Sequence, residues 1–222
     1  LSADRYADLV SLVTRREILV RAGNAGLAAL VATALPVAER IPVARAALAG
    51  AGTPNLADAT LQAFADTMLP GRRVAVTESG QPIDPHAIAG VDPRPGAVEA
   101  DALALYHNAE IGFGALEAPF VAELESRSLP HGGTFLSLGF PARVQVCLAG
   151  LDPSNPTFLV WEAASAVPFT AFCAAALVVD ATSKDACGYR VMGLPGVAPH
   201  GYRGYSWRRV LSRERTRTGS LP

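Results

Sequence analysis

Leu61-Gln62-Ala63-Phe64-Ala65-Asp66-Thr67-Met68-Leu69, closed by Pro70-Gly71, is the stretch whose reading decides the fold. Its apolar residues Leu61, Phe64, Ala65 and Met68 recur at i, i+3, i+4 and i+7, the stripe of an amphipathic helix. Asn55 or Asp58 is the expected N-terminal cap, and Pro70-Gly71 the expected stop. Composition agrees: 50% of the 222 residues are hydrophobic but only 7% are aromatic, so Ala, Leu and Val carry the apolar content. Ala and Leu are strong helix formers, which favours packed helices over sheets. The expectation is an all-α protein, an irregular helical domain with long Gly/Pro-rich loops and an extended basic C-terminal tail. A chain of this length has room for one sizeable core.

Downstream, residues 71–96 read as a Pro-, Gly- and Asp-rich loop with a short turn at Asp84-Pro85-His86-Ala87-Ile88. A second helix is expected over Val98–Ala109 and a third over Pro119–Ser126. Residues 129–139 form another loop, with His131-Gly132-Gly133 at its tip. A helix over Pro141–Leu151 is expected to turn Arg143 and Gln145 outward. The most apolar run, Thr157–Val179, is interrupted by Glu162 and Pro168. It suits a buried helix pair, or one helix kinked at Pro168, better than a membrane span. From Cys187 onward no helical period is visible. The resulting division is 1–54 for an N-terminal helix and linker, 55–187 for the helical domain and 188–222 for an irregular basic and aromatic tail.

Upstream, Thr14-Arg15-Arg16-Glu17-Ile18-Leu19-Val20 precedes a short apolar run from Ala22 to Leu35. An arginine pair before such a run resembles a twin-arginine export signal, a receptor-read address for proteins that cross already folded. The run is too short to span a bilayer, which takes roughly 20 residues. Small-x-small sites at Ala32-Thr33-Ala34 and Ala44-Arg45-Ala46 suit a signal peptidase. Arg15 and Arg16 are therefore the expected export residues, with the periplasm or cell exterior as destination and retention at the membrane if the signal stays uncleaved. An ordinary amphipathic helix with solvated arginines is the alternative.

Little in the chain points to chemistry of its own. Cys147, Cys173 and Cys187 lack C-x-x-C spacing and a nearby His, which argues against a zinc or iron–sulfur site. His107 and Glu110 stand three apart on the expected second helix, but no second Glu-x-x-His pair completes a di-metal site, so they read as a polar helix face. His86 and His131 lie in loops, and His200 sits in the tail. There is no G-x-S-x-G, and Gly112-Phe113-Gly114 lacks the strand and third glycine of a dinucleotide fingerprint. No catalytic, cofactor-binding or metal-ligating residue is expected in this chain. The net charge of −1 gives the chain as a whole no pull on nucleic acid.

The helix ending Ala65-Asp66-Thr67-Met68-Leu69-Pro70, a variable Gly/Pro loop and then Pro95-Gly96-Ala97-Val98-Glu99-Ala100 resemble the gluconate 2-dehydrogenase subunit 3 family. The resemblance covers roughly residues 14–125 and includes the preceding twin-arginine segment. It carries over Arg15 and Arg16 as the signal and Asp66, Pro70, Pro95, Gly96 and Glu99 as structural positions. What it implies is a small helical subunit without catalytic residues, helping to fold and export a large flavoprotein of the glucose–methanol–choline type. FAD belongs to that large subunit, which often passes electrons to a cytochrome. The long loop between Pro70 and Pro95 and the basic tail depart from the family pattern.

The tail interleaves Tyr202, Tyr205 and Trp207 with Arg203, Arg208, Arg209, Arg213, Arg215 and Arg217. Aromatics and Arg are enriched at protein interfaces, so Tyr202, Tyr205, Trp207, Arg208 and Arg209 are the expected contacts to a protein partner, not to nucleic acid. Contact with a membrane is expected only during export. Two other readings stay open: a freestanding small enzyme with its site in the 71–96 and 129–139 loops, and a secreted binding protein without a redox role.

Overall fold

The computed structural model describes the backbone of residues 15–38, 54–174 and 186–193, and the side chains of 25–38, 56–174 and 186–193. The described residues form an all-α protein. Its helices are α1 (Arg15–Ala38), α2 (Pro54–Met68), α3 (Ala102–Tyr106), α4 (Gly114–Ser128), α5 (Phe140–Gly150), α6 (Phe158–Cys173) and α7 (Cys187–Met192). Two 3-10 turns, Leu129–His131 and Phe135–Ser137, link α4 to α5. The Val76–Pro82 bridge is isolated, and no strand occurs among the described residues.

Helix α2 is the centre of the fold, packed by α3, α4, α5 and α6. Its expected stripe is present, with Leu61 and Phe64 fully buried, but the opposite face is buried too. Thr60, Gln62, Asp66 and Thr67 all lie inside. Each is hydrogen-bonded, as buried polar groups must be. Thr60 and Thr67 donate back to the Leu56 and Ala63 carbonyls, while Gln62 and Asp66 reach the covering loop. Phe64, Phe113, Phe120, Trp161 and Tyr106 form the aromatic heart, with Phe64–Phe120 centroids 4.8 Å apart and nearly perpendicular. Such edge-to-face packing adds about 0.5–1.5 kcal/mol per pair beyond area burial.

Helix α1 buries Leu27, Val31, Ala34 and Ala38, spaced four, three and four apart, against α4 and α6. The apolar run that resembles a signal core is thus also a packing helix of this body. No helix among the described residues is long and apolar enough to cross a membrane. Helix α6 is a single helix with Pro168 inside it.

Four expectations are corrected. The second helix is α3 alone, because Asp101 adopts φ 59°, a left-handed conformation that a helix cannot continue through. His107 is its C-terminal cap, so His107 and Glu110 share no helix face. Helix α4 starts at Gly114, one turn before Pro119. The proline there costs only the Ala115 carbonyl its helical donor, at an exposed residue where water substitutes. Arg143 points inward, only 3% exposed, whereas Gln145 is exposed as expected. Residues 187–192 are helical; a helix under two turns is too short to display a period.

All three cysteines are free thiols, Cys147 and Cys187 buried and Cys173 exposed. Burial pushes the Cys147 thiol up to about 12, so it is not a nucleophile at neutral pH.

Candidate functional site

Two features organise the surface beside α2: a clasp that closes the long loop, and an acidic pocket that the closed loop helps to wall.

The clasp begins at Asp66. Its Oδ1 accepts the Gly71 N–H (3.3 Å) and its Oδ2 the Ala89 N–H (2.8 Å), so one carboxylate pins both arms of the loop. One turn earlier, Gln62 accepts from the Asp84 N–H (3.0 Å) and donates to the Pro82 carbonyl (3.3 Å). Burial raises the Asp66 carboxyl above its ordinary value, and the two backbone donors pull against that rise. Where the loop returns, Ala97 N–H reaches the Leu69 carbonyl (3.1 Å) and Arg72 N–H the Arg94 carbonyl (2.8 Å). Gly71 and Gly96 lie back to back: a Cβ on Gly96 would stand 2.6 Å from the Gly71 nitrogen. The Arg72 guanidinium then grips Glu99 with both its Nε (3.0 Å) and Nη2 (2.6 Å). Asp66, Pro70, Pro95, Gly96 and Glu99, far apart in sequence, therefore meet at one place.

Arg143 holds the loop from the other side. It donates to four carbonyls, those of His86 (2.8 Å), Ala87 (2.8 Å), Phe135 (3.2 Å) and Leu136 (2.7 Å). The expected turn at Asp84–Ile88 is present, closed by Ala87 N–H to the Asp84 carbonyl (3.0 Å), and it is this turn that Arg143 reaches. A buried Arg with no partner of its own on α5 gave no local sequence signal.

The pocket, about 540 Å³, is walled by α2, the loop and α3, including Asp58, Gln62, Ser79, Asp84, Asp101 and His107. Its lining holds three carboxylates, one imidazole and no Lys or Arg. Asp101 is fixed by Ser79, which donates through its N–H (3.0 Å) and its hydroxyl (2.5 Å). At the rim His107 Nε2 lies 3.2 Å from Asp58 Oδ1 and 3.8 Å from Glu117 Oε2. The Glu117 carboxyl is raised above its ordinary value, first by burial, with the neighbouring Asp58 charge adding and His107 opposing. Sequence spacing pairs His107 with Glu110; the fold instead brings Asp58 and Glu117 to its Nε2.

Of the other singled-out residues, His86 and His131 are exposed, and the His131-Gly132-Gly133 tip turns through Gly132 at φ 103°. The pocket takes part of the 71–96 loop but none of 129–139. Arg15 and Arg16 open α1, and their side chains lie outside the described ones. Tyr202, Tyr205, Trp207, Arg208 and Arg209, like His200, lie outside the described residues.

Fold and site together define a small all-helical protein whose long loop is clasped onto a central helix beside an acidic pocket. The chain belongs to a family of unknown function (DUF5987), which it matches over residues 55–221. No curated protein and no solved structure matches it.

Proposed function

We propose that this chain is the non-catalytic small subunit, an assembly and export partner, of an exported FAD-dependent oxidoreductase complex. FAD is held by a large flavoprotein of the glucose–methanol–choline type, a class that often passes electrons to a cytochrome; this chain carries no flavin and has no turnover alone. One observation above all supports the reading. Asp66, Pro70, Pro95, Gly96 and Glu99, which carry the resemblance only as ordered pieces of sequence, converge in one clasp. An ordered set that makes a single structural unit is a stronger ground for likeness than any of its pieces.

In this reading Arg15 and Arg16 address the assembled pair to the twin-arginine route, which suits a partner that must take up FAD before crossing. Packing of Leu27, Val31 and Ala34 into the helical body favours an uncleaved signal that stays with the protein. Tyr202, Tyr205, Trp207, Arg208 and Arg209 are the contacts to the large subunit.

Purification of the tagged chain from its native host tests the proposal. The expected result is co-purification of a larger chain with a flavin absorbance spectrum. Loss of that chain should follow deletion of residues 202–222, and failure of export should follow replacement of Arg15 and Arg16 by Lys, which lacks the guanidinium fork. Stoichiometric flavin on the isolated chain, or turnover by it alone, would overturn the reading in favour of a freestanding enzyme.

A further inference from the structure

We propose that Asp58, His107 and Glu117 form a binding site for a divalent transition-metal ion of the zinc type, with its open coordination positions facing the acidic pocket. The proposal is independent of the subunit reading, since it concerns a cation held by this chain alone.

The argument starts from where the ligands come from. Asp58 sits on α2, His107 caps the end of α3, and Glu117 lies in the first turn of α4. Three separate segments thus deliver one imidazole nitrogen and two carboxylate oxygens whose ligand atoms all lie within 4.8 Å of one another. Metal bonds of about 2.0–2.1 Å in a tetrahedral arrangement need ligand-to-ligand edges of about 3.3 Å. The 3.2 Å edge from His107 to Asp58 already has that length, the 3.8 Å edge to Glu117 exceeds it by about 0.5 Å, and all three ligand atoms stay within 4.8 Å of one another.

An imidazolium alone accounts for the cluster less well. Its one Nε2–H can serve the Asp58 oxygen at 3.2 Å, but 3.8 Å to Glu117 is beyond a hydrogen bond. Glu117 is then left half-buried and close to a second carboxylate, where two like charges repel. A dication between the two carboxylates relieves that repulsion and takes the Nε2 lone pair at the same time.

The pocket supplies a second, independent ground. Asp58 and His107 belong to its wall, together with Asp84 and Asp101, and no Lys or Arg lines it. Such a cavity concentrates cations and gives a bound ion an entry path and room for water or a small anionic ligand at its free positions. One nitrogen and two oxygen donors suit zinc and its first-row neighbours better than calcium or magnesium, which prefer all-oxygen shells.

The test uses the full chain, titrated with zinc chloride by isothermal calorimetry, followed by elemental analysis after dialysis. The expected result is about one equivalent of zinc per chain and a rise in melting temperature that a chelator reverses. His107→Ala, Asp58→Asn and Glu117→Gln should each weaken binding at least about tenfold, the scale on which even groups supporting the ligands act. Far-UV circular dichroism of each variant separates loss of ligand from loss of fold. A cobalt-loaded sample should show d–d bands without a thiolate charge-transfer band, which excludes Cys173 as the binding group. Absence of saturable zinc binding, or undiminished stoichiometry in the three folded variants, would overturn the site.

Discussion

Tyr106 serves the carbonyl that Pro168 orphans. Within α6 the Ala164 C=O would normally accept the N–H of residue 168, but proline has none. The buried Tyr106 hydroxyl, from α3, donates to that carbonyl at 2.8 Å. A defect in one helix is thereby repaired by a side chain from another, and the repair fixes how α3 docks on α6. Desolvation raises the phenol well above its ordinary value, so it remains a donor at all physiological pH.

Tyr106→Phe should therefore cost about 1–3 kcal/mol, the penalty of leaving a buried acceptor unmade. The decisive measurement is a double-mutant cycle with Pro168→Ala, which restores a helical N–H. If the relationship is as described, Tyr106→Phe is milder in the Pro168→Ala background, by a coupling of at least about 0.5 kcal/mol in urea denaturation. Strict additivity would contradict it.

Arg143 is the second case of a polar side chain completing backbone elsewhere, and it tests how the loop is held. Its guanidinium is desolvated, which lowers its proton affinity, while Asp66 supports the charge. Replacement by Met leaves the carbonyls of His86, Ala87, Phe135 and Leu136 without this donor. Destabilisation of roughly 3–5 kcal/mol is expected, the range for breaking a buried charged network. Arg143→Lys should recover only part of it, because an ammonium cannot span the fork's geometry. Parallel urea curves with shifted midpoints are the expected readout.

These two residues also mark the boundary of what the sequence makes legible. The stripe Leu61, Phe64, Ala65 and Met68 announces α2, and Pro70-Gly71 announces its end, because both signals are local. The polar face of α2 reads as solvent-facing for the same reason. Only the fold reveals that Gln62 and Asp66 are roofed by a loop whose backbone they bind. The same rule turns Arg143 outward, since helical periodicity assigns a face but not what covers it. The His107 cluster was hidden because its partners, Asp58 and Glu117, are joined by tertiary packing and by the break at Asp101, which no spacing encodes.

The back-to-back glycines of the clasp give a steric prediction. In Gly96→Ala the new methyl meets the Gly71 nitrogen at 2.6 Å and the Leu69 carbonyl oxygen at 2.7 Å, both backbone atoms that cannot rotate away. A loss of about 1–3 kcal/mol is expected, as for overpacking generally. Gly114→Ala is the control: nothing lies within 4 Å of its Cβ position, so stability should hold or rise by about 0.4–1 kcal/mol. Thermal melts of the two variants should move in opposite directions or leave only the first displaced.

The return arm of the clasp also carries a pH signature. Arg94 donates to Asp92 through its backbone N–H (2.8 Å), its Nε (3.1 Å) and its Nη2 (3.0 Å). That side chain and backbone grip lowers the Asp92 carboxyl to about 2. A carboxyl depressed on folding stabilises above its unfolded value of about 3.9, and that contribution is lost as pH falls through the folded value. The acid limb of the stability curve should accordingly steepen between about pH 4 and pH 2. In Arg94→Ala the carboxyl should rise toward its unfolded value without reaching it, since the backbone N–H of residue 94 still donates, as followed by carbon-detected NMR of the Asp92 side chain. The same variant keeps the Arg94 carbonyl that accepts from Arg72 N–H at 2.8 Å, so the clasp should remain closed. A carboxyl that still titrates near 2 without the guanidinium would assign the shift to the Asp92 turn itself.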